Sequence, residues 1–136
     1  MQGTLRTAHL VVGAIAIVAF LVTGMLMNAH RPPVMQMDWD QRLLFNSRHI
    51  YLMAAGLVNL ALGVHYRLPD PRVRKATAIF GSLLAFASAA MLFFAFFAEP
   101  MAGRWPGRVS GYGLFTLFGG VLAYVLASLR REPAAP

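Results

Sequence analysis

Four histidines, together with seven methionines beyond Met1, are the side chains of this chain best suited to holding a metal ion or a porphyrin iron. Imidazole nitrogen and thioether sulfur both suit Cu(I), and His/His or His/Met pairs serve as axial ligands of haem. His9 and His30 fall on roughly one face of a helix, about 31 Å apart along its axis, with Gly13, Ala16, Phe20, Thr23 and Met27 between them. If the next apolar run returns antiparallel, His30 approaches His49 at one end and His9 approaches His65 at the other. That arrangement predicts up to two bis-imidazole sites. His49 and His65, however, differ by roughly 160° around a helix, so they cannot both face one interior. The His30–His49 end is therefore the stronger candidate.

The methionines point to the same end. Met25, Met27, Met35, Met37, Met53, Met91 and Met101 all fall in one half of the expected bundle or in its connections. Met27 precedes His30 by three residues and Met53 follows His49 by four, spacings that put each pair on one helix face. The metal-ligand candidates are thus His30, His49, Met27, Met35 and Met37. The candidates for holding haem b are His30, His49, Met27, Met53 and His9, with Arg48 as a donor to a propionate and Asn59 as a hydrogen-bond partner of a ligand, quinone or porphyrin edge. Each residue also has a plainer reading. Methionine fills gaps in apolar cores, histidines at helix ends bond to loop carbonyls, and Arg48 could instead grip a lipid phosphate. Asn59, near mid-membrane, needs a hydrogen-bond partner, with Ser82, Ser88 or Thr116 in reach as an interhelical acceptor.

The elements that carry these residues follow from where charge is missing. The 12 basic residues, five acidic residues and eight prolines all fall outside four uncharged runs: Thr7 to His30, His49 to Tyr66, Ala76 to Ala98 and Val109 to Leu129. About 20 apolar residues cross a bilayer core as a helix, and a helix satisfies its own backbone there. The chain is therefore predicted to be all-α, an integral membrane four-helix bundle forming one domain over 1–136, with helices near 7–30, 47–66, 75–98 and 109–129. The stretch Asp40 to Phe45 is expected to be a separate short interfacial helix. The first run is too long for a signal-peptide core and is expected to be retained. The tail from Arg130 is expected to fray.

Arg6, Arg67, Arg72, Arg74, Lys75, Arg130 and Arg131 fall on one side, against Arg31, Arg42, Arg48, Arg104 and Arg108 on the other. This bias puts both termini in the cytoplasm, of a bacterial inner membrane. Trp39, Trp105, Tyr51 and Tyr112 then mark the outer interface and Tyr66 the inner one. The net charge of +7 sits at helix ends, which suits anionic lipid headgroups and not nucleic acid. No cysteine is present, which excludes disulfides and thiolate sites. With no acidic residue inside a run, proton-driven carriers are disfavoured. Small residues (Gly13, Gly24, Gly81, Gly111, Gly119, Gly120) predict close helix contacts, either within the bundle or with a second copy or another membrane protein.

The first helix, Arg6-Thr-Ala-His9-Leu-Val-Val-Gly13 through Asn28-Ala-His30, resembles the opening helix of the small membrane protoporphyrinogen oxidases, and Arg42-Leu-Leu is a fainter echo. The resemblance covers about the first third of the chain and implies haem binding. The later histidine-bearing and acidic motifs of that family have no counterpart in the third and fourth runs, so no enzymatic activity is carried over. Two function classes follow. One is a haem- or copper-binding redox or metal accessory protein with a His/Met site at the outer face. The other is a cofactor-free accessory or packing subunit of a larger membrane complex.

Overall fold

The computed structural model describes residues 1–69, 72–102 and 108–129. Among these are four α-helices, α1 (Gln2–Ala29), α2 (Trp39–His65), α3 (Arg72–Ala102) and α4 (Arg108–Ser128), with one 3-10 turn at Val34–Gln36. Three of them, α1, α3 and α4, are long and apolar enough to cross a membrane. The fourth, α2, is 27 residues long. His49, Asn59 and the charged first turns dilute its apolarity.

The helices extend past the expected limits wherever charge was taken as a boundary. In α2 the helix starts at Trp39, so Asp40 to Phe45 is its first turns and not a separate interfacial helix. Asp40 sits in that first turn, where a negative charge favours the helix N-terminus. The Arg42 guanidinium lies 4.9 Å from the Trp39 ring. In α3 the helix continues through Glu99 and Pro100. A proline in the last turn gives up one hydrogen bond without breaking the helix behind it. Charges and a proline expected in the connections therefore stand in the helices: Arg6 in α1, Asp40 and Arg42 in α2, Arg72, Arg74, Glu99 and Pro100 in α3, and Arg108 in α4.

Two antiparallel hairpins, α1–α2 and α3–α4, hold the densest contacts, and they meet mainly along α2 and α3. Among the described residues α1 and α4 do not touch. Both hairpins close on glycine. A methyl on Gly13 would lie 2.8 Å from the Leu60 backbone nitrogen, and one on Gly63 would lie 2.9 Å from that of Leu10. In the second hairpin a methyl on Gly81 would stand 2.6 Å from the Gly120 carbonyl oxygen. Such close approach lets dispersion hold helices that gain no hydrophobic driving force in lipid. Gly111 and Gly119, expected to do the same, face open space.

Three apolar clusters fill the interior: Leu62, Tyr66, Ala78, Ala85, Tyr124 and Ala127 at one end, Ala55, Ala89, Leu92 and Leu117 midway, and Val34, Phe45, Leu52 and Phe96 at the other end. Tyr66, expected at the inner interface, is buried in this core. Its hydroxyl bonds Ser82 Oγ at 3.1 Å and its ring stacks on Tyr124. Trp39 and Tyr112 are exposed, as interfacial anchors should be. Trp105 and the tail from Arg130 lie outside the described residues.

Candidate functional site

The buried polar side chains form pairs across helix interfaces, and the helix carbonyls beside them fix the direction of each bond. His9 of α1 is 0% exposed. Its Nδ1 lies 2.9 Å from Asn59 Oδ1. The Asn59 amide nitrogen donates to the carbonyls of Ala55 (2.9 Å) and Ala85 (3.4 Å). Carbonyls only accept, so the amide oxygen must face His9, and Nδ1 must carry the proton. Nε2 is then a lone-pair nitrogen, and it has no hydrogen-bond partner. The rings of Phe86 and Tyr66 flank the imidazole, with centroids at 4.4 and 5.3 Å. Asn59 thus finds its partner in His9 and in two carbonyls, not in Ser82, Ser88 or Thr116 as expected.

A second pair stands near the other end of the same hairpin. The Thr23 hydroxyl donates to the Phe20 carbonyl at 3.0 Å and therefore accepts from His49 Nδ1–H at 3.0 Å. The His49 ring stacks on Phe20 with centroids 4.1 Å apart. Gly24 makes room for it, since a methyl there would meet Cε1 at 3.1 Å and Nε2 at 3.4 Å.

Arg48, expected at the lipid or propionate interface, is inside. Its Nε donates to Glu99 Oε2 at 2.7 Å, with the two side chains 2% and 6% exposed. Its Nη1 donates to Ser47 Oγ. The other carboxylate oxygen, Oε1, accepts the Ser110 backbone N–H at 2.9 Å. Ser110 is the third residue of α4, whose N–H has no partner within its own helix. One carboxylate therefore caps α4, closes α3 and neutralises a cation of α2. Glu99 is the buried acid missing from the sequence reading, because its charge places it just beyond the uncharged run that ends at Ala98. The argument against proton-driven carriers rested on the lack of such a residue and no longer stands on that ground. An arginine beside His49, within the expected helix 47–66 and in need of a countercharge, was the signal available.

The His30–His49 pair is not brought face to face. The His30 ring neighbours Phe45, the His49 ring neighbours Phe96, and those two phenylalanines pack on each other. His9 and His65 also stay apart. His65 is exposed and donates from its ring to the Ala61 carbonyl, as the angular argument requires. What does assemble at the His30 end is a cleft of about 250 Å³ lined by Leu26, Met27, Ala29, His30, Phe45, Phe96, Phe97 and Met101. There His30 Nδ1 lies 3.0 Å from the Pro32 carbonyl and must donate to it, which leaves Nε2 as the lone-pair nitrogen. Met37 packs beside Met27 against the Phe45–Phe96 cluster. Met35 is exposed and lines a neighbouring cleft with Gly24, Met27 and Asn28. Met53 is half-buried and does not line the His30 cleft. Among the described residues no group of three or more His, Cys, Asp or Glu could hold a metal, so any metal site here would have to draw on thioethers. Comparison with known proteins finds no matching family, curated relative or solved structure.

Proposed function

We propose that this chain is a four-span protein of a bacterial inner membrane, with both termini cytoplasmic, that binds Cu(I) at its outer face as a metal accessory protein. One observation carries the reading: His30, Met27 and Met101 line a single cleft, and the Pro32 carbonyl holds the His30 proton on Nδ1. An imidazole fixed by a backbone carbonyl through its other nitrogen is the usual arrangement of a metal-binding histidine. One imidazole with two thioethers is a soft donor set that favours Cu(I) over Zn(II) or Mg(II). Copper is preferred to haem because the Phe45 and Phe96 rings link His30 to His49, where a bis-imidazole porphyrin would need an open slot.

Titration of the purified protein with Cu(I) against a chromogenic chelator tests this. One equivalent should bind, and Met27→Leu, Met101→Leu and His30→Gln should each weaken binding at least about tenfold, while His65→Ala should not. Unchanged affinity in all three variants, or a Soret band in the purified protein, would overturn it.

A second reading, a cofactor-free packing subunit for another membrane protein, is favoured by the faces that α1 and α4 leave open. On α1, Val11, Ile15, Val18 and Leu21 are exposed, and on α4, Phe115, Phe118 and Leu122. Co-purification of a stoichiometric partner without bound copper would favour it.

A further inference from the structure

His9 poses a problem that the copper reading does not touch. A buried acceptor without a donor costs free energy, and here its partnering nitrogen is held free by a chain of bonds running from Ala55 and Ala85 through Asn59. No described residue donates to it. The Tyr66 hydroxyl is committed to Ser82, whose own proton goes to the Ala78 carbonyl. The lone pair is therefore suited to an external donor. Among the described residues His9 belongs to no group of three or more His, Cys, Asp or Glu that could hold a metal ion.

An apolar groove shares the Phe86 ring with His9, although His9 itself does not line it. A groove of about 270 Å³ runs between α1 and α3 on the lipid side, lined by Val12, Ala16, Ala19, Phe86, Ala90 and Phe93 among others. Val12 follows His9 by one helical turn, and Phe86 to Phe93 extends about 10 Å along α3. Phe86 is shared: its ring walls the groove and packs 4.4 Å from His9.

We propose that this groove binds an isoprenoid quinol, with its ring hydroxyl donating to His9 Nε2 and its chain lying along Ala16, Ala19 and Phe93 toward the outer leaflet. Because His9 does not line the groove, a turn of the Phe86 side chain has to open the way, and the quinol ring takes the place that Phe86 leaves beside the imidazole. Only binding is proposed. The oxidised quinone carries acceptors where the quinol carries donors, so a neutral His9 discriminates between them. The site is independent of copper and can fail or stand without it.

The test is binding of a short-chain ubiquinol analogue, of its oxidised quinone and of a ten-carbon alcohol to the full chain in nanodiscs. The quinol should bind at least about tenfold more tightly than the quinone and should not be displaced by the alcohol at equal concentration. Ala90→Phe fills the groove from its open edge without touching the His9–Asn59 pair, and should abolish binding while leaving the melting temperature unchanged. His9→Phe should remove the preference for the reduced form. Equal affinity for both redox forms, displacement by the plain alcohol, or undiminished binding in Ala90→Phe would each overturn the proposal.

Discussion

His9 and His49 sit near opposite ends of one helix pair and are held by the same device, a proton on Nδ1 directed at an oxygen of the facing helix. In His9 the acceptor is Asn59, and its loss should be measurable. Asn59→Leu leaves both imidazole nitrogens buried without partners, so the cost should reach about 1–3 kcal/mol, above the ~0.6 kcal/mol typical of a single interhelical bond in a membrane. Thermal unfolding in detergent checks this, and a shift no larger than that of Thr116→Val would show that His9 is hydrated instead. The Arg48–Glu99 pair should be more sensitive. Glu99→Ala strands a buried guanidinium and uncaps α4, at a cost of about 3–5 kcal/mol, whereas Arg48→Met with Glu99→Leu should recover most of the loss. If the double variant melts as low as the single one, the cap on α4 and not the charge is what matters. From the sequence, His9, Arg48 and Asn59 could be picked out as polar groups needing partners. Their partners could not, because pairing depends on how each helix is rotated about its axis, and the apolar stripes are too broad to fix that rotation.

At the scale of the elements, the four uncharged runs identified the helices, and the errors lie at their ends. Charged residues expected in the connections lie instead in helix ends, and Glu99 is buried in α3 because it neutralises Arg48. The glycines were half legible. Gly13, Gly81 and Gly120 lie at contacts as expected, whereas Gly56 and Gly63 were overlooked in a run whose histidines and asparagine drew attention. Gly81→Ala forces a methyl against the Gly120 carbonyl and the Tyr124 backbone nitrogen, so α3 and α4 must part, at about 1–3 kcal/mol. Gly119→Ala meets no atom and should be neutral or slightly stabilising through helix propensity. Melting curves of the two variants should diverge. Coincident curves would mean that the α3–α4 seam is looser than drawn.

At the scale of the whole molecule, orientation rests on the basic residues of the connections. Reporter fusions after Leu68 and after Leu129 should both read cytoplasmic; a periplasmic signal at Leu68 would move the His30 cleft to the inside. The cross-membrane organisation has a further consequence. The His9–Asn59 and Thr23–His49 bonds are internal to α1–α2, and the Gly81–Gly120 contact and the Glu99 cap are internal to α3–α4. Arg48 to Glu99, the Asn59 amide to the Ala85 carbonyl, Tyr66 to Ser82 and the Arg67 backbone N–H to Tyr124 Oη run from one half to the other. Each half is a hairpin that can insert as a unit, and the bonds between them are few and of distinct kinds. A gene cut between the codons for Pro69 and Arg72 should therefore yield two polypeptides that find each other in the bilayer, with the carboxylate–guanidinium pair acting as their mating key.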